Sequence, residues 1–117
     1  MKELMLEADL NIYNAARMKS MLLELLNQND ELAVVLSPVK NIDTAGFQVL
    51  YLLKRQAFLL SKKLIYTQHS DAVIKIFDLY GVIGLFQDKI KMNPELRAKL
   101  KLKYGLKKQN FSVLEQG

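Results

Sequence analysis

Asp43, Thr44, Ala45 and Gly46 are the residues of this chain best suited to chemistry at a surface. An acid and a hydroxyl stand side by side, two small residues follow, and a strongly apolar helical pattern begins, in "NIDTAGFQVLYLLKRQA". The first-turn N–H groups of a helix have no intrahelical partners and point outward. Asp43 or Thr44 can cap them, and the helix dipole favours negative charge there. Gly46 leaves the turn without a side chain, so that another surface can approach the backbone closely. The residues alone leave two readings open: a capped helix with an incidental glycine, or a docking surface built on a polar helix start.

Other candidates are weaker. His69 is the one histidine and sits in "TQHSDA" with no paired Ser, Cys or acid motif, so it reads as a surface turn residue and gives no catalytic arrangement. Asp71 and Asp78 are expected to face solvent, and Lys54 and Arg55 to form a solvated outer face of their helix. No Gly-rich phosphate loop and no zinc spacing is present, and without cysteine there is no thiolate site or disulfide framework. No metal and no cofactor is expected.

The elements that must position Asp43 and Thr44 follow from periodicity. "ELMLEADL" alternates, with Leu4, Leu6, Ala8 and Leu10 on one face, and predicts a half-buried strand. Asn14 is the expected cap of a first helix with a stripe of Ala15, Met18, Leu22, Leu25 and Leu26. "LAVVL" at 32–36 predicts a central strand covered on both sides. The second helix runs from about Thr44 to Leu60, with Phe47, Leu50, Tyr51 and Phe58 inside. "KLIYT" at 63–67 is a third strand. Ser70 caps a third helix with Val73, Ile76, Phe77 and Tyr80 inside and Gly81 at its exit. "LF" at 85–86 is assigned to a short last strand, and Asn93, Pro94 and Glu95 start a final helix. The class is α/β: a small mixed sheet of about four strands covered by helices.

The 117 residues carry a net charge of +5, unevenly placed. Residues 1–88 hold nine Lys and Arg against ten Asp and Glu, whereas residues 89–108 hold eight basic residues against Glu95 alone. Residues 1–92 are therefore read as the domain core. Residues 93–117 are read as a basic helix and tail packing on the same domain through Leu96, Leu100 and Tyr104. With no aromatic stacking pattern beside the lysines, nucleic acid is not an expected partner. The N-terminus has no secretory pattern and no stretch has the length of a membrane span, so a cytoplasmic location is expected.

From Leu4 to about Phe86 the chain resembles the STAS domain of bacterial anti-sigma factor antagonists. The likeness rests on "LEADLNIYNAARMKSMLLELL", "VVLSPVKNIDTAGFQVLYLLKRQA" and "KKLIYTQHSDAVIKIFDLYGV", in that order and spacing. It implies a non-enzymatic signalling module. Thr44 would be the phospho-acceptor, and Asp43, Thr44, Ala45, Gly46, Gln48, Asp9 and Asn11 would form the partner-binding surface. The implied partner is an anti-sigma factor or other histidine-kinase-like ATPase, released on phosphorylation. Two positions depart from the pattern: Asn11 stands where classical members often have an aspartate, and Val35 where many carry Asp or Asn. A second resemblance, to the STAS subunit of lipid-asymmetry ABC transporters, implies an ABC ATPase subunit as partner and no need for phosphate. A third possibility implied by the fold is a sensor of nucleotides or lipids.

Overall fold

The alternating segments become a parallel sheet because each is followed by a helix long enough to return the chain to the same end. In the computed structural model β1 (Lys2–Met5), β2 (Glu31–Val35) and β3 (Lys63–Thr67) pair in the order β1-β2-β3, all parallel. The structure describes residues 1–91 and 93–106, with side chains described as far as residue 100. The expectations for the Tyr104 side chain and for residues 107–117 lie outside them.

Helix α1 (Ala15–Gln28) joins β1 to β2 and α2 (Thr44–Leu59) joins β2 to β3. Right-handed crossovers running one way across a sheet put both helices on one face. There Met18, Leu22 and Leu26 of α1 and Phe47, Leu50 and Leu53 of α2 meet Leu32, Val34, Leu64 and Tyr66 of the sheet. Helix α3 (Asp71–Leu79) adds Val73, Ile74 and Phe77, and Ser70 caps it by accepting from the Val73 N–H at 3.2 Å. Gly81 ends the helix with φ 71°, a backbone conformation that favours glycine. Helix α5 (Pro94–Leu106) starts with Asn93 Oδ1 accepting from Leu96 N–H at 2.7 Å, and Leu96 and Leu100 lie in the core.

Several expectations are corrected. The sheet is not mixed and has three strands, not about four, among the described residues. Residues 85–86 are the end of a short helix, α4 (Ile83–Phe86), because both Leu85 and Phe86 are buried and a strand would turn one of them out. β1 is shorter than its alternation: the ladder ends at Met5, and Leu10 returns alone to a parallel bridge with Ile42. Leu6 and Leu10 are buried all the same. Asn14 makes no side-chain cap on α1; its amide donates to Asp9 O at 2.6 Å instead. On α2, Phe58 is 49% exposed, and Val49, Leu53, Lys54 and Ala57 share the buried side. Lys62, just after α2, reaches the end of α1, its ammonium donating to Leu26 O at 2.7 Å and Asn27 O at 2.9 Å.

The charged residues read as solvated are the larger correction. Lys54 is buried: its ammonium donates to Leu64 O at 2.6 Å and to Asp88 Oδ1 at 2.8 Å. It also lies over the Tyr66 ring, 5.1 Å from the centroid. The backbone N–H and C=O groups of Leu64 and Tyr66 point away from β2, along the open edge of β3, and the Tyr66 N–H also faces the Asp88 carboxylate. The ion pair thus satisfies an edge that a fourth strand would otherwise take. Burial raises the Asp88 carboxyl above its ordinary range against the pull of Lys54, and burial lowers the Lys54 ammonium against the pull of Asp88. Asp78 is buried beside Phe77, whereas Asp71 is exposed as expected.

His69 is buried too, edge-on to Phe77 at 5.8 Å, with neither ring nitrogen hydrogen-bonded among the described residues. Burial, helped by the charge of Lys54, lowers the imidazole from 6.5 to about 4.

Two predictions follow from these buried groups. Lys54→Ala leaves the Asp88 carboxylate buried and unpaired and should cost about 3–5 kcal/mol in urea unfolding, while Lys54→Met with Asp88→Leu should recover most of it. For His69 the folded chain holds a neutral base that the unfolded chain charges more readily. Its contribution is fully present above pH 6.5 and is lost as pH falls towards about 4, with about 3 kcal/mol at stake. His69→Phe should flatten that part of the stability–pH curve; an unchanged slope between those pH values would reassign the acid sensitivity to other groups.

Candidate functional site

Asp43 organises the candidate site. It occupies the cap position of α2 with extended backbone, φ −106° and ψ −174°. Its Oδ1 accepts from the Gly46 N–H at 2.9 Å, and its Oδ2 accepts from the Ile12 N–H at 3.0 Å. Its own N–H donates to Leu10 O at 3.1 Å. One carboxylate therefore caps the helix and holds the loop after β1 against it. The Gly46 N–H first, with those of Ile12 and Ala45, keeps the Asp43 carboxyl below the usual carboxylate range.

Asp9 repeats the arrangement one step earlier. Its Oδ1 accepts from the N–H groups of Lys40 and Asn41 at 3.2 and 3.1 Å, and its Oδ2 accepts from the Asn41 side chain at 3.1 Å. The Asn41 amide and N–H hold its carboxyl low as well. Asn11 shapes the turn, its Oδ1 accepting from the N–H groups of Tyr13 and Asn14 at 2.9 and 3.2 Å. The structure thus ties Asp9, Asn11 and Asp43 to their own loops.

Gly46 has a different role from the one its sequence suggests. It is buried, and the surface that approaches it is Leu10 of the same chain. A Cβ built at Gly46 would collide with Leu10 O and would lie 2.6 Å from Leu10 Cβ. Glycine is required there for packing, so no outside surface reaches its backbone.

Thr44, Gln48, Ile12 and Tyr13 are exposed at this end, as are Lys40, Asn41 and Tyr80. The Thr44 and Tyr80 hydroxyls share a hydrogen bond of 2.7 Å. Tyr80 lies flat on Phe47, with ring centroids 4.4 Å apart and planes 16° apart, which joins the end of α3 to the start of α2. Thr44, Phe47, Gln48, Tyr51, Tyr80 and Val82 line an open groove of about 310 Å³. Ile12 and Tyr13 are 71% and 94% exposed, held beside Asp43 by the Ile12 bond. Sequence reasoning missed both, although apolar residues in a turn, outside any stripe, were a usable signal. It also placed Tyr80 on the inner face of α3, whereas the residue is 43% exposed.

Among the described residues no three His, Asp or Glu side chains converge as a metal site needs, and no helix is long and apolar enough to cross a membrane. What stands on the surface is a parallel α/β domain presenting a capped helix start, two hydroxyls and an apolar rim, the make-up of a protein-docking module. Residues 2–87 match the family model described as "Mlab, STAS domain", and the chain belongs to the STAS domain family. Members of this family generally act by binding other proteins. A search of curated proteins found no match.

Gly46→Ala tests the close approach. Overpacking against the Leu10 backbone should cost about 1–3 kcal/mol and lower the thermal midpoint. A midpoint equal to that of the unchanged chain would show that the loop after β1 can move away from α2 freely.

Proposed function

We propose that the chain is a non-enzymatic STAS signalling module that docks a protein partner through the start of α2. The observation that carries this reading is the exposed pair Ile12 and Tyr13 fixed by Asp43 beside the exposed Thr44–Tyr80 hydroxyl pair. Large apolar side chains carried on a backbone that is already fixed supply contact area without the cost of ordering the loop. In this reading Thr44 and Gln48 lie at the centre of the contact and Ala45 at its edge. Gly46, Asp43, Asp9 and Asn11 act indirectly by shaping the backbone beneath. The partner is an anti-sigma-type, histidine-kinase-like ATPase, and Thr44 is the control point. A phosphoryl group there adds nearly two negative charges beside Asp43 and displaces the bond to Tyr80. The helix N-terminus tolerates the charge, so the fold survives while the docked surface does not.

One observation favours a second reading, in which an ABC transporter ATPase is held without phosphate. The Thr44 hydroxyl is engaged by Tyr80 over an aromatic groove, and the two nearby carboxylates are tied to their own loops. A surface of that kind suits a lasting contact.

Binding of the purified chain to a purified partner of each class separates the readings. Thr44→Asp and Ile12→Asp should each weaken the true contact by roughly thirty-fold or more, as replacements at a contact centre do. Stability should stay within about 0.5 kcal/mol, as for surface positions generally. Wild-type affinity in both variants would move the docking surface elsewhere.

A further inference from the structure

Helices α1 and α2 lie side by side, and a second groove runs between their outer sides. Lys19, Leu23 and Asn27 line it from α1, and Leu52, Arg55 and Gln56 line it from α2, around about 310 Å³. The two rows follow from helical spacing, since residues three and four apart share a side. The apolar part is Leu23, half-buried, and Leu52, which is 37% exposed. Leu59, two turns beyond Leu52 on the same side of α2, is 52% exposed and extends that strip.

The polar lining is one-sided. Lys19 and Arg55 are exposed cations, Asn27 and Gln56 each carry an amide that donates, and no carboxylate lines the groove. Residues 1–88 are close to neutral, with nine Lys and Arg against ten Asp and Glu. Two of those nine converging on one apolar strip is therefore a local feature, not a result of overall charge. Lys62 adds positive charge at the far end, where its ammonium binds Leu26 O and Asn27 O. A second copy docked groove to groove would set these cations against their equals. A lipid surface fits poorly as well, because a near-neutral domain with a concave site gains little from a flat anionic sheet.

We propose that the α1–α2 groove receives an acidic amphipathic helix of the partner protein. Its apolar side chains lie on Leu23, Leu52 and Leu59, and its carboxylates meet Lys19 and Arg55. The inference rests on the reading of the chain as a protein-docking module and names the chemistry of what is docked. The two-turn spacing of Leu52 and Leu59 matches the recurrence of anchors on a helix laid in a groove. The Arg55 guanidinium has five N–H donors, enough to hold a carboxylate and keep its contacts within the chain. The groove begins one turn beyond Gln48, so a helix lying in it continues the contact made at the start of α2.

The probe is a synthetic helical peptide of leucine and glutamate in amphipathic order, titrated into the full chain. Backbone NMR signals of Lys19, Leu23, Leu52 and Gln56 should shift. Lys19→Glu and Arg55→Glu should each weaken binding by about ten-fold or more, as like charges set together at a contact do. Both positions are exposed, so circular dichroism should show an unchanged fold. Lys75→Glu, the same charge change at an exposed position of α3, should leave the affinity as it was. Equal binding of a peptide with lysine in place of glutamate, or unchanged affinity in both groove variants, overturns the proposal. So does the absence of shifts at these four residues. Shifts there with vesicles of anionic phospholipid and none with the peptide also overturn it, and make the groove a lipid contact. Docking at the start of α2 is tested by other variants, Thr44→Asp and Ile12→Asp, so the groove can fail while that reading stands.

Discussion

The contact of Gly46 with Leu10, closed by the Asp43 carboxylate, is the constraint on which the surface of this domain depends. After β1 the chain must leave the sheet, turn and enter α1, and beyond the Leu6 N–H, which donates to Val35 O at 3.0 Å, the β1–β2 ladder no longer holds it. The hold comes from the start of α2. Because Gly46 has no Cβ, the Leu10 backbone can lie against the first turn, and Asp43 then bonds Gly46 on one side and Ile12 on the other. Leu10 is fully buried as a result, and the two residues after Asn11 are thrown outward. The close approach therefore creates the exposed Ile12–Tyr13 pair, and the same helix start places Thr44 under Tyr80.

The two ends of the sheet solve different problems with charge. At the end that carries the candidate site, Asp9 and Asp43 accept several N–H bonds near solvent, and these bonds lower both carboxyls. Along the open edge of β3, Lys54 and Asp88 are withdrawn from water, and their charges are maintained chiefly by each other. The first arrangement is rigid at little cost because solvent still reaches the carboxylates. The second carries a large desolvation term, which limits the substitutions the edge will accept. Functional change is thus better tolerated at the helix start than along the covered edge.

The proposed function places its control point at Thr44. A helix start can accept a charged group without losing its fold, since its N–H groups and dipole favour the charge. The same group would disrupt a contact that covers Ile12, Thr44 and Tyr80, because an apolar rim desolvates whatever it encloses. In the proposed reading, a phosphoryl group at Thr44 would act on association and leave folding alone.

Local patterns were sufficient for the elements themselves. Short apolar runs located β2 and β3, helical spacing located α1, α2 and α3, and the polar caps at Asp43, Ser70 and Asn93 were readable from residue type and position. Asp43–Thr44 and the family resemblance could be seen without coordinates for the same reason, since caps and motifs are local in the chain. Relations between distant segments were not legible. Lys54 and His69 look like surface residues until Asp88 and Phe77 are brought to them, and Gly46 looks open until Leu10 is laid against it. The alternation of "LEADL" was real in burial but not in pairing, because pairing needs a neighbouring strand and β2 ends at Val35. Burial of a charge, the space at a glycine and the extent of a ladder are decided by segments tens of residues apart, and only the tertiary structure brings those together.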